Sequence, residues 1–243
     1  MSMSTCQVLL QAREEVAAGT MAFYFQRPAG FAFKAGQAID LILPAAVAPG
    51  GQSQRHTFSL VSAPFEHELV IATRMRDSSA FKRALRMLPI DGLVEIEGPF
   101  GSLTLHNERT RPAIFIAGGI GITPFMSMLR QATHDRLPQE MVLLYSNRRP
   151  EDAAFLLELQ DLERQNVNFR LLPTMTEMGK SVMPWQGETS HVTEDLLRKT
   201  MNGFLKPVFY VAGPPGLVAA VCDMLNRVGV NDDDIRSEEF YGY

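Results

Sequence analysis

The chain has 243 residues, of which 46% are hydrophobic and 21% charged, and its formal net charge is −4. This composition supports one large or two modest domains with real cores, and the charge argues against a general nucleic-acid surface. The only two cysteines, Cys6 and Cys222, cannot build a Cys-rich zinc site, a four-thiolate iron–sulfur centre or a secreted disulfide framework. No apolar run nears the roughly 20 residues of a membrane helix, and no basic segment precedes a sustained apolar core at the N-terminus. A soluble cytoplasmic protein with no metal site is expected.

From Gln7 to Pro99, short strand-like runs at 20–26, 38–43, 57–61, 69–73 and 93–97 are split by Gly, Pro and polar turns. Regular short strands predict a sandwich or barrel. One helix is predicted at 79–88, capped by Ser78 or Ser79, with Phe81, Leu85 and Leu88 on one face. After Arg111 the texture changes. Strand patterns at 113–117, 141–146, 169–173 and 208–212 alternate with helical patterns at 124–134, 152–165, 194–201 and 216–228. That βα order predicts a doubly wound parallel sheet. The seam falls within 98–110, and 179–189, with the only tryptophan, Trp185, reads as irregular.

Four segments carry possible chemistry, and each alone also suits an ordinary structural role. In Arg55-His-Thr-Phe-Ser59, an aromatic beside a hydroxyl residue and preceded by cationic groups suits a flavin. Arg74, Arg76, Ser78 and Ser79 join guanidinium groups to a helix N-terminus, a good phosphate seat. Gly118, Gly119 and Gly121, followed by Thr123 and Pro124, lead from a buried strand into a helix and let backbone N–H groups approach an anion. The spacing is not Gly-x-Gly-x-x-Gly, because Pro124 stands where the last glycine would be. Ala212, Gly213, Pro214 and Pro215 again join a strand to a helix. His67, His106, His134 and His191 are scattered and form no ligand spacing.

In this order the four segments resemble the ferredoxin–NADP⁺ reductase superfamily, without an iron–sulfur domain. The resemblance covers nearly the whole chain. It implies an N-terminal antiparallel β-barrel (Greek key) for flavin at 1–109 and a C-terminal α/β doubly wound parallel sheet for NAD(P)H at 110–243. Phe58 and Ser59 take the Tyr-Ser places of the family's Arg-x-Tyr-Ser motif, and either Arg55 or His56 meets a flavin phosphate. Thr57 and Thr73 flank these groups. The Gly118–Pro124 stretch is similar to the family's pyridine-nucleotide turn. Residues 212–216 are similar to its Cys-Gly-Pro-Pro turn, with Ala212 replacing the cysteine. The end of the chain, 238–243, is similar to the terminal acid-plus-aromatic segment.

The implied activity is hydride transfer from NAD(P)H to bound FAD, or FMN, and then release of single electrons to a protein acceptor. That acceptor would be a ferredoxin, a flavodoxin, or a haem or oxygenase component. Ser59, Glu238 and Tyr243 are the expected catalytic residues, with Glu239 an alternative proton relay and Phe240 or Tyr241 alternative covers of the ring. Ser146, Arg148 and Arg149 follow the second parallel strand with no acid before Glu151, which tilts the expectation slightly from NADH to NADPH. Alternative readings are a free-flavin or ferric-chelate reductase, a flavin-carrying electron-transfer subunit active only in a larger complex, and a cofactor-free interaction domain.

Overall fold

The structure is a computed structural model that describes residues 4–241. Its first half contains strands β1 (Ser4–Ala17), β2 (Thr20–Gln26), β3 (Ala38–Leu43), β4 (Gln54–Ser59), β5 (Glu68–Arg74) and β6 (Leu93–Phe100), with helix α1 (Ala80–Met87) between the last two strands. They form one six-stranded antiparallel sheet in the order β4-β3-β6-β1-β2-β5. Its two edge strands meet through a Leu60–Ile71 bridge, which curls the sheet into the predicted barrel. The side-chain alternation explains the packing. Phe23 and Phe25, Ile39 and Leu41, Leu69 and Ile71, and Val94 and Ile96 fill the barrel. On the other face of β2 and β5, Ala22, Val70 and Ala72 are buried against the second half of the chain.

That second half holds β7 (Ala113–Gly118), α2 (Thr123–His134), β8 (Met141–Asn147), α3 (Leu156–Gln165), β9 (Phe169–Met175), α4 (Glu194–Met201), β10 (Val208–Gly213), α5 (Pro215–Arg227) and β11 (Ile235–Glu239). The five strands are all parallel, in the order β11-β10-β7-β8-β9. Strands β7, β8 and β10 are buried at every position. This is why they read as continuous apolar runs, since helices cover both faces. Phe115, Leu143 and Tyr145 pack with Phe125 of α2 and Leu159 of α3. Ile114, Ile116 and Val211 pack with Leu197 of α4 and Val218 of α5. Chain order reverses between β7 and β10, so the turns that leave these two strands lie side by side at the switch point where open α/β sheets bind ligands.

Two expectations change. The predicted helix at 152–165 begins at Leu156. A short 3-10 turn occupies Pro150–Asp152, and Phe155 adopts a left-handed conformation, φ 60°, before the helix starts. Strand β1 was not predicted, although it is 14 residues long. Its first half pairs with β6 and its second with β2, with a register shift between Leu10 and Ala12. Beyond Leu10 the strand is polar and mostly exposed, and the bulge interrupts its alternation.

Candidate functional site

Two cavities open where the barrel meets the parallel sheet. The first, about 460 Å³, lies between β4, β5, α1, the start of α2 and the end of β11. Its size is within the range of about 300–1,000 Å³ usual for small-molecule sites. Of the predicted residues, His56, Thr57, Phe58, Ser59, Thr73, Arg74, Thr123, Glu238, Phe240 and Tyr241 line it. The alternation of β4 puts His56 and Phe58 on one face. The His56 ring stacks on Phe81 of α1 at 4.1 Å between centroids. Burial and the neighbouring Lys82 ammonium hold the His56 imidazole below its ordinary pKa. Arg55 points elsewhere. It pairs with Asp40 at 3.3 Å and Glu97 at 3.0 Å and does not line the cavity. Of the two candidates left open by the sequence, His56 therefore stands at the cavity.

Ser78 and Ser79 also stay outside both cavities. Ser79 caps α1, its hydroxyl accepting from the Lys82 backbone N–H at 3.3 Å. Lys82, which sequence reasoning passed over, lines the first cavity, and its Nζ donates to the Arg74 carbonyl at 3.0 Å. Its ammonium pKa is lowered by burial and by Arg76. Nothing in sequence marks such a lysine, because a position on the first turn of an amphipathic helix normally faces water.

At the far wall, parallel register sets Glu238 of β11 beside Ala212 of β10. Glu238 is half-buried, and burial raises its carboxyl pKa above the ordinary range. The Phe240 backbone N–H donates to the Gly213 carbonyl at 2.9 Å, which ties the end of the chain to the glycine–proline turn. Tyr241 is exposed, its phenol hydrogen-bonded to Glu239. Tyr243, expected as the ring cover, lies outside the described residues.

The two glycine turns pack backbone against backbone. A Cβ on Gly121 would overlap the Ala212 carbonyl, and one on Gly213 would come within 3.1 Å of the Gly118 backbone. Gly121 and Gly213 are thus required by the contact between the turns. Neither lines a cavity, and the same holds for Pro124, Ala212 and Pro215. Gly119 differs. It has φ 53°, open space around its missing side chain, and a place in the second cavity.

The second cavity, about 240 Å³, lies over the switch point, lined by Gly118, Gly119, Ser146, Arg148 and Pro214 from the parallel sheet and by Arg74 and Arg76 from the barrel. Arg149 is absent from its walls, because its Nε and Nη2 donate to the two Asp152 oxygens at 2.9 Å each. Asp152 is buried, and the Arg149 hydrogen bonds keep its carboxyl below the usual range. It also lies 3.5 Å from Arg74 Nη2 and so joins the two halves of the molecule. Asp152 itself, Ile120, Asn147, Thr176 and His191 are also in the wall, and sequence reasoning missed the last three. His191 arrives from the irregular segment after β9, which is held by a Thr174–Glu188 bridge and by the Thr174 hydroxyl donating to the Ser190 carbonyl. Asn147 is buried with its amide directed at the Tyr145 phenol, and its amide oxygen has no hydrogen-bond partner. A buried orphan amide oxygen in a cavity wall suits a polar ligand.

Aromatic walls, three buried hydroxyls (Ser59, Thr73 and Thr123) and the cationic Arg74 and Lys82 make the first cavity a fit for a planar polar ring with an anionic tail. The second, at a helix N-terminus with a positive-φ glycine, fits a nucleotide phosphate.

Comparison with known proteins agrees with this geometry. Residues 115–223 match the family model of the oxidoreductase NAD-binding domain. Ferredoxin–NADP reductase B of Sorangium cellulosum is 28% identical over 225 residues, covering 89% of this chain and 89% of the relative. The reductase component of propane 2-monooxygenase from Rhodococcus jostii is 27% identical over 219 residues, covering 88% of this chain and 57% of the relative. The chain spans only 57–60% of the length of the propane 2-monooxygenase reductase components it matches. A ferredoxin NADP⁺ reductase from Neisseria gonorrhoeae, solved with bound FAD and NADP, aligns with TM-score 0.81 at 20% identity, covering 97% of this chain and 98% of that one. Residues 115–223 carry the oxidoreductase NAD-binding domain, and the whole chain shares the fold of the ferredoxin NADP⁺ reductase from Neisseria gonorrhoeae. Among the described residues no helix is long and apolar enough to cross a membrane.

Proposed function

We propose that the chain oxidises NAD(P)H with a bound flavin, FAD in preference to FMN, and delivers the electrons singly to a protein acceptor of the ferredoxin, flavodoxin, haem or oxygenase-component type. One observation carries this reading: Arg74 and Ile120 line both cavities, so a ring in the first and a nucleotide in the second meet at a shared wall. Relatives named as reductase components of oxygenases and as ferredoxin–NADP reductase support the acceptor class. A bound flavin supplies a two-electron acceptor that can release electrons one at a time, which nicotinamide cannot readily do.

In this reading residues 1–109 hold the flavin and 110–243 the nucleotide. Phe58 would lie against the ring, the Ser59 and Thr73 hydroxyls would serve its polar edge, and the His56, Lys82 and Arg74 side of the cavity would hold its phosphates. Gly118 and Gly119 let the backbone approach the nucleotide pyrophosphate. Glu238, whose carboxyl pKa burial raises above the ordinary range, would hold or pass the proton of the reaction at its carboxyl. Phe240 and Tyr241, in the wall of this cavity, would cover the ring face. Ala212 keeps that face small. A cytoplasmic location goes with this reading, since reduced nicotinamide is made and consumed there.

The purified chain, supplied with FAD, should retain flavin absorbance through gel filtration and release FAD on denaturation. It should also oxidise NADH or NADPH when given an artificial one-electron acceptor. A properly folded chain that takes up no flavin would overturn the reading.

A further inference from the structure

We propose that the second cavity selects NADH over NADPH, because the cations around its Ser146–Arg148 rim are already held by carboxylates. The inference rests on the reading of this cavity as the nicotinamide-nucleotide site. It reverses what Arg148 and Arg149 imply when only their sequence is considered.

The two nucleotides differ by a single 2′-phosphate, and reading that group requires cations free to donate to it. Arg149 donates from Nε and Nη2 to the two Asp152 oxygens, at 2.9 Å each, and from Nη1 to the Lys180 carbonyl at 3.5 Å. Arg148 Nε lies 3.7 Å from Glu177 Oε1, and Lys180 Nζ lies 2.7 Å from Glu177 Oε2. Glu151 accepts from the Ser181 hydroxyl and the Val182 backbone N–H, both at 2.8 Å, which holds it as an anion. The ends of β8 and β9 therefore bring together three cations, Arg148, Arg149 and Lys180, and three carboxylates, Glu151, Asp152 and Glu177. A phosphate entering here must displace a carboxylate from its cation and then remain beside it, which like-charge repulsion opposes.

Arg74 and Arg76 also reach the cavity, but from the barrel side, and Arg74 shares Asp152. On this geometry Arg76 serves the pyrophosphate, which both nucleotides carry, while Arg74 stays with Asp152 and the flavin side of the shared wall. The uncharged groups at the rim suit a ribose hydroxyl instead. The buried Asn147 amide oxygen offers an acceptor without a partner, and Ser146 adds a hydroxyl next to it.

Calorimetric titration of the purified chain with NADH and NADPH, and with the fragments 5′-AMP and 2′,5′-ADP, reads binding without turnover. NADH should bind roughly tenfold or more tightly than NADPH, and 5′-AMP more tightly than 2′,5′-ADP. Glu177→Gln, at a partly exposed turn position, releases Arg148 and Lys180. It should reduce the NADH-to-NADPH affinity ratio several-fold by tightening NADPH, while Glu177→Asp keeps the wild-type ratio. Equal binding, or tighter NADPH, in the wild type would overturn the selection and leave the nucleotide site standing. An unchanged ratio in Glu177→Gln would overturn the role given to Glu177. Binding of neither nucleotide would overturn the site assignment and the selection with it.

Discussion

Glu238 shows how a single residue takes its chemistry from its surroundings. The strand register sets it beside Ala212, and the cavity wall takes its carboxyl out of water with no cation to compensate. Its pKa in the folded protein lies above that in the unfolded chain. Its contribution to stability is therefore fully present below the ordinary glutamate range and is lost as pH rises through the raised value. Glu238→Gln should accordingly raise the melting temperature at pH 7 and leave it nearly unchanged near pH 4, as read by scanning calorimetry. The same variant should flatten the pH profile of turnover if the carboxyl relays a proton. If the Ser59 hydroxyl bonds the flavin edge as proposed, Ser59→Ala removes a neutral hydrogen bond worth about 0.5–1.5 kcal/mol and should slow flavin reduction in stopped-flow by no more than roughly tenfold. At this scale the sequence grouped Phe58, Ser59, Thr73 and Glu238 by motif, and the fold brings all four to one cavity. The sequence was not legible where the role depends on a distant partner. Asp152 looks like a helix cap until the left-handed Phe155 ends the turn and Arg74, 78 positions away in sequence, comes alongside.

The two glycine turns are the elements on which the site stands. Their sequences announce a strand entering a helix, and the structure adds that the turns touch. Gly121→Ala would drive a Cβ into the Ala212 carbonyl, backbone against backbone, with no flexible side chain to yield. A cost of about 1–3 kcal/mol and a lowered urea midpoint are expected. Gly119→Ala meets nothing but must hold φ 53°, a conformational cost of about 1–2 kcal/mol. Gly121→Ala should thus lose at least as much stability as Gly119→Ala, while Gly119→Ala shows its larger effect in nucleotide affinity. The long strand β1 escaped sequence reading for the reason it exists. It serves two neighbours in turn, and its polar second half carries no alternation strong enough to announce a strand.

Across the whole molecule, the barrel and the parallel sheet are joined firmly enough to give the two cavities a shared wall. Ala22, Val70 and Ala72 of the barrel lie in one core with Phe125 and Met128 of α2. The Ser127 hydroxyl donates to the Ser62 carbonyl at 2.7 Å, and Arg130 reaches both Val61 and Glu66 at 3.3 Å. Asp152 to Arg74 completes the junction at the cavity mouth. Asp152→Asn should cost about 1.5–3 kcal/mol at pH 7 by urea denaturation. Arg149 holds the carboxyl below its unfolded pKa, so that stability is present above the ordinary aspartate range and lost as pH falls through the lowered value. The gap between variant and wild type should therefore close only in acid. The βα alternation made the two-part architecture legible in advance, whereas the charge pairing at the nucleotide rim depended on which side chains the fold brought together. The most direct measurement of the central claim is anaerobic rapid mixing of the FAD-loaded chain with NADH, followed by flavin absorbance. The account predicts loss of the oxidised-flavin band in a single turnover without any added acceptor, and a flavin-loaded, folded chain whose absorbance is unchanged by both NADH and NADPH would contradict it.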